Sequence, residues 1–182
     1  SESFRPFLTG YITLLISQSV SLTVRDPSAD GRLAAVRMNR IEHRNDPKEE
    51  STEESSQDEL IIFALLGALN DGINLFDLYN TDKILHLAMV AVSNDYSRIG
   101  LASELYKLSI EIGQSVSAGA IVTEAVSVYA AKAAASFGLE TLNEIVYEEF
   151  ELEDGFKPYA QFVKELGDHR TAKLMARSLK PE

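Results

Sequence analysis

Cysteine is missing from all 182 residues. This excludes disulfides, thiolate metal sites and a cysteine nucleophile, and it leaves a reducing cytoplasm as the simplest expected compartment. Long apolar runs are missing too: none approaches the roughly 20 residues that a membrane span requires. The opening residues SESFRPFLTG show neither the basic start nor the apolar stretch of a secretory signal, so secretion is not expected. Positive charge is in short supply. Lys and Arg number 17 against 28 Asp and Glu, a formal net charge of -11, which argues against a nucleic-acid partner because phosphate backbones call for a basic footprint. The same acidity would steer cationic substrates inward, or serve solubility alone. What is present is a globular composition, 45% hydrophobic and 25% charged, at a length that fits one domain with a sizeable core.

Residues 3–19 place Phe4, Phe7, Leu8, Ile12, Leu15 and Ile16 at helical spacing and predict an amphipathic helix. The period then falls to two. Val20, Leu22 and Val24 alternate with polar neighbours, Asp26-Pro-Ser-Ala-Asp-Gly31 marks a turn, and 33–38 is strand-like again, which reads as a hairpin. Residues 42–59 hold almost no apolar side chain and read as a mobile acidic surface loop. Residues 60–78 are apolar enough for a buried helix, weakened by Gly67 and Gly72. Short, nearly continuous apolar runs at 84–92 and 118–126 predict central strands. Between them, a helix over 101–113 carries Leu101, Leu105, Leu108 and Ile112 on one stripe, completing a β-α-β unit. A helix over 128–137 ends at Gly138, and two more strands are expected near 145–150 and 172–179. The class is mixed α/β in a single domain.

The chemistry concentrates where the first central strand meets its helix: Val92-Ser-Asn-Asp-Tyr96-Ser97-Arg98-Ile99-Gly100-Leu101-Ala102-Ser103. A helix N-terminus offers unpaired N–H groups and partial positive charge, so a phosphate can sit there if the backbone permits close approach. Gly100 and Ala102 permit it, although an ordinary close-packed turn would use the same residues. Neither a Walker loop nor a dinucleotide fingerprint is present.

This stretch resembles the acyl-CoA pyrophosphate signature of the GNAT superfamily of acetyl-CoA-dependent N-acetyltransferases, Val-x-Pro-x-Tyr-(Arg/Gln)-x-x-Gly-x-(Gly/Ala). Tyr96, Gly100 and Ala102 match, while Asn94 and Ser97 replace the usual Pro and Arg or Gln. Downstream, Tyr129-Ala-Ala-Lys132 through Phe137-Gly138-Leu139 resembles the Tyr-Ser-x-Lys helix of the insect-type arylalkylamine N-acetyltransferases. The run from His169 through Lys173 and Met175 to Leu179 resembles that subfamily's closing strand. Ala130 stands where the subfamily has a Ser that helps protonate the departing thiolate, and Ala134 where other branches carry a catalytic Tyr. The family also begins with a strand and helix, one bearing a glutamate general base, that find no match ahead of residues 3–40. The expectation is a shortened or N-terminally incomplete member.

The resemblance implies a GNAT fold: a mixed, mostly antiparallel sheet with a splayed central strand, flanked by helices. It implies acetyl-CoA as acetyl donor, with the loop and helix start from Ser97, Arg98, Ile99 and Gly100 to Leu101, Ala102 and Ser103 on the pyrophosphate. It further implies that the backbone of Met89, Val90, Ala91 and Val92 holds the pantetheine arm and thioester. The acceptor would be a small amine, an arylalkylamine or polyamine, attacking directly in a ternary complex. A protein N-terminus or lysine as acceptor, or a catalytically idle acyl-CoA-binding module, are the alternatives. A monomer or a homodimer serves equally, and neither a membrane nor a metal is expected to take part. His86 resembles the outer member of a histidine pair in the vertebrate enzymes, where it could relay a proton; a part-buried structural histidine is the other reading. Tyr129 and Lys132, at i and i+3, could border the CoA arm or cover the core edge, with Tyr129 a candidate proton donor to the thiolate. Tyr147 and Tyr159 would wall an amine pocket or fill the core.

Overall fold

The structure is a computed structural model that describes residues 5–47, 56–162 and 164–180. Helix α1 (Arg5–Ser17) leads into strand β1 (Leu22–Asp26). Asp26 then stops the strand. Its carboxylate accepts the Ser28 amide, Pro27 opens a 3-10 turn, and Asp30 in the left-handed region returns the chain into β2 (Arg32–His43). The expected hairpin is there, but β2 runs on through Glu42, so the acidic loop expected over 42–59 begins later. Residues 48–55 of that loop lie outside the described residues. It also ends earlier: Ser56 and Glu59 form a capping box that starts helix α2 (Gln57–Asn70).

The single buried helix expected over 60–78 is two helices. Asn74 accepts the amides of Phe76 and Asp77 and so nucleates a separate short helix, α3 (Leu75–Leu78). Of α2, Glu59, Leu65 and Leu69 are buried, whereas Leu60 and Ile62 are exposed. By length and composition Gln57–Leu78 is apolar enough to cross a membrane, contrary to the sequence expectation. Its break after Asn70 and the burial of Leu65 and Leu69 against the sheet also suit a helix packed on a core.

Strand β3 (Lys83–Val92), helix α4 (Leu101–Ser115) and strand β4 (Ala120–Ala125) form the expected crossover. Helix α5 (Val128–Ser136), β5 (Glu140–Val146) and β6 (Thr171–Ser178) complete the chain. The sheet order is β1-β2-β3-β4-β6-β5, antiparallel throughout except for β3 with β4. β5 starts five residues before its expected position and ends at Val146. The Glu149 and Phe150 amides turn back onto the Val146 carbonyl, which sends Tyr147 and Phe150 into the core.

Each face of the sheet carries a core. Leu85, Leu87, Ile121 and Met175 pack toward α4 and α5; Ile84, Val122 and Leu174 pack toward Leu65 and Leu69 of α2. α4 buries the expected stripe only in part, through Leu105 and, at the core edge, Ile112. Leu105, Tyr106, Ser109 and Gly113 face inward and Leu108 is exposed, because small residues at 109 and 113 let the helix lie close to the sheet. Asn39, fully buried on β2, donates to Val20 O at 2.9 Å and Ser109 Oγ at 3.0 Å, tying the hairpin to α4.

Gly119 marks the tightest approach, since an added Cβ would lie 2.5 Å from Thr81 Cβ. Gly119→Ala is therefore expected to destabilise the fold by about 1–3 kcal/mol in urea unfolding. Gly67→Ala, in a helix interior with nothing within 4 Å of the new methyl, should instead stabilise it by about 0.5–1 kcal/mol.

Candidate functional site

The parallel ladder between β3 and β4 is short: Ile84 faces Ala120, Leu85 faces Ile121, His86 faces Val122, and pairing then stops. Beyond that point, among the described residues, β3 keeps only β2, with Met89, Val90, Ala91 and Val92 opposite Met38, Arg37, Val36 and Ala35. The register shifts between Met38 and Asn39, leaving Ala88 without an opposite residue. β4 keeps only β6 over residues 123–125. The two central strands therefore diverge into a fork. On its β3 side lies a strand edge able to hydrogen-bond an extended ligand.

The open end of that edge runs into the loop. Ser93 N donates to Ala34 O, a 3-10 turn spans Asn94–Tyr96, and the Tyr96 hydroxyl donates to Asp26 Oδ2 at 2.7 Å. Arg32 pairs with Asp95 at 2.6 Å. The β1–β2 hairpin thus holds the loop from below. Bonds from the Ser28 hydroxyl and then the Tyr96 hydroxyl keep Asp26 below the ordinary carboxylate range, and its carboxylate in turn raises the Tyr96 phenol. Ser97, Arg98, Ile99 and Gly100 are exposed. Arg98 and Gly100 have φ of 63° and 87°, so the chain doubles back and delivers Leu101, Ala102 and Ser103 as the first helical turn of α4 with no side-chain cap. Free amides and the positive end of a four-turn helix face outward there.

On the α2 face of the fork lies a cluster that sequence reasoning missed. His86 bonds through Nδ1 to Glu42 Oε1 at 2.7 Å and through Nε2 to Glu124 Oε2 at 2.5 Å. Asn70 of α2 donates to the other Glu124 oxygen at 3.2 Å, and Arg40 lies 3.8 Å from Glu42. Burial alone would push the imidazole pKa down, but Glu124 and Glu42 together raise it well above 6.5. Burial would likewise raise Glu124, yet the charge and hydrogen bond of His86, with Asn70, pull it down to about 2. Glu42 is lowered too, burial being outweighed by His86 and Arg40. The cluster is a carboxylate–imidazolium–carboxylate bridge across three strands. The signal for it was a lone Glu inside the apolar run of β4, a position where a charge needs a partner.

The other candidates are scattered. Tyr129, in the first turn of α5, is 72% exposed and meets His169 edge-on at 5.3 Å. It lies with α5 on the face of the sheet opposite the His86 bridge. Lys132 is exposed and borders a cavity of about 330 Å³ with Asp168, Arg170 and Lys173. Ala134 is fully buried and Ala130 packs at the core edge. In the α2-side core the Tyr159 ring lies tilted against Tyr147 at 5.1 Å and Phe150 at 6.1 Å, and the Tyr147 hydroxyl donates to Val126 O. They are core residues. Arg37, 2% exposed on β2, lies 4.4 Å above the Tyr106 ring, and its Nε and Nη2 have no hydrogen-bond partner among the described residues.

No protein-family model matches the sequence, and no curated protein matches it. Solved structures do. The arylalkylamine N-acetyltransferase 2 of Aedes aegypti superimposes with a TM-score of 0.82 at 27% identity, over 96% of this chain and 80% of that one. A mosquito arylalkylamine N-acetyltransferase, like 5b, gives 0.72 at 21% identity over 92% and 78%. The Drosophila melanogaster polyamine N-acetyltransferase, which forms N-acetylagmatine, gives 0.78 at 15% identity over 93% and 79%. At these last two identities the likeness is one of fold. With a six-stranded mixed sheet flanked by helices and central strands that part after three pairs, the chain has the GNAT fold, and it resembles the insect arylalkylamine N-acetyltransferases.

Proposed function

We propose that the protein moves the acetyl group of acetyl-CoA directly to a small primary amine, an arylalkylamine or a polyamine, within a ternary complex. The observation that carries this reading is the continuity of one track: the unpaired edge of β3 leads through an exposed loop to an uncapped helix N-terminus. The fit to acyl-CoA is chemical. The first amides of α4 suit the pyrophosphate, and the backbone of Met89–Val92 suits the amide-bearing pantetheine arm. Acetyl-CoA supplies an activated thioester. The amine nitrogen attacks its carbonyl carbon, the C–N bond forms as the C–S bond breaks, and the proton leaves the nitrogen for solvent or a base. Net acidity and the cited arylalkylamine and polyamine relatives favour a cationic acceptor. Methyl groups at Ala130 and Ala134 favour a second reading, an acyl-CoA-binding module without turnover.

His86 fits a relay poorly. An imidazolium with both nitrogens bonded to carboxylates has no lone pair to accept a proton, so its arrangement supports holding the fork together. Tyr129, largely in solvent, gives the thiolate no shielded donor, which favours water.

In thermal unfolding, acetyl-CoA should raise the Tm by mass action, and Gly100→Glu should remove that shift by placing bulk and negative charge at the phosphate position. Equal shifts in parent and variant would dismiss the loop as the site. In a released-thiol assay, tryptamine, tyramine and agmatine should give higher kcat/KM than peptides, and Tyr129→Phe should leave kcat unchanged; no thiol release with any acceptor would favour the idle module. The raised pKa of His86 gives a contribution to folding that is complete below 6.5 and lost as pH rises through the folded value. The lowered pKa of Glu124 gives one that is complete above 4.5 and lost as pH falls toward about 2. The stability difference between parent and His86→Gln should thus be largest between pH 4.5 and 6.5, measured by urea unfolding across pH.

A further inference from the structure

The fork is stitched on both faces immediately past the last ladder pair. On the α4 side, the buried Thr123 hydroxyl donates to Leu87 O at 2.9 Å. On the α2 side, Glu124 reaches back to His86 at 2.5 Å. Thr123 and Glu124 are consecutive, so the pleat sends them to opposite faces. The Thr123 bond has a specific consequence for the ladder. It fills the Leu87 carbonyl, which points toward β4, with a hydroxyl instead of a strand amide, so the strands can part without leaving a buried acceptor empty. The Glu124 bond ties β4 to β3 and, through His86 and Glu42, to β2. Among the described residues, Arg40 from β2 and Asn70 from α2 are the other polar groups that reach this bridge. The three side chains of the bridge are only 14% (His86), 26% (Glu42) and 13% (Glu124) exposed, a setting in which losing one partner strands the other.

Resting on the acyl-CoA reading above, we propose that Thr123 and Glu124, the latter acting through His86, are positioning residues that set where the fork begins and so how deep an acyl-thioester arm enters. An arm anchored at the α4 N-terminus runs back along β3 from Val92 toward Ala88, so its acyl end is the part nearest the fork. The fork is then a stop for the acyl chain, and the protein selects short acyl groups by strand geometry and not by a dedicated pocket wall.

The test compares parent, Thr123→Val, Glu124→Gln and the conservative Thr123→Ser. Hydrogen exchange of the ligand-free proteins reads the fork itself: amides of residues 86–88 and 122–125 should exchange faster in Thr123→Val and Glu124→Gln, and Thr123→Ser should match the parent. Kinetics with acetyl-CoA and butyryl-CoA then read its purpose. The acetyl-to-butyryl ratio of kcat/KM should fall by about tenfold in both disrupting variants and be restored in Thr123→Ser. If the parent binds acyl-CoA without turnover, the same ratio is read from dissociation constants by calorimetry. Unchanged exchange overturns the clamp, and faster exchange with an unchanged chain-length ratio overturns the depth-setting role and leaves a structural brace. A parent protein that binds neither acyl-CoA overturns the proposed function, with this proposal, at the control arm.

Discussion

The β3–β4 ladder ends at His86 and Val122, and the rest of the candidate site depends on that ending. Parallel strands covered on both faces have every reason to keep pairing, since each unpaired buried amide or carbonyl is costly. Here side chains replace the backbone bonds that pairing would have made. Thr123 satisfies Leu87 O, and the His86 bridge holds the strands at the branch point. Past it, β3 leans on β2 alone and offers its other edge outward, and the shift in register opposite Ala88 adds curvature where the strands separate.

The two faces of the sheet treat charge differently. Toward α2, one cation is bonded between two carboxylates, and each group's ionisation holds the others in place. Toward α4, Arg37 has no carboxylate among the described residues and instead lies over Tyr106, which stacks at 4.9 Å on Phe137 of the α5 cap. A desolvated guanidinium over an aromatic face is held by the ring quadrupole. That stack joins β2, α4 and the end of α5 on the α4 face of the sheet.

The loop before α4 is shaped from a distance. Tyr96 and Asp95 are anchored to Asp26 and Arg32, more than 60 positions earlier in the chain, at the tip of the β1–β2 hairpin. Tyr96, part of the matching loop motif, here works by fixing the turn. The amides of α4 remain free to do the binding.

Much of this was readable from local pattern. The hairpin, the two central strands, α4, α5 and the helix-opening loop all follow from periodicity, turn residues and capping, which depend on neighbours within about four positions. The breaks that pattern missed have nearby causes that only partners reveal. Asn74 restarts a helix inside an apolar run, and small residues at 109 and 113 seat α4 close to the sheet on a face that keeps Leu105 of its stripe but leaves Leu108 exposed. The acidic bridge was hidden for a deeper reason. Glu42 and Glu124 lie 44 and 38 positions from His86, and Glu42 sits where composition suggested a loop. Residue type and spacing along one strand specify which face a side chain takes. Which strands stand beside it is settled only when the sheet packs, because strand order comes from burying both faces at once, and that order alone brings these three charges within hydrogen-bonding reach.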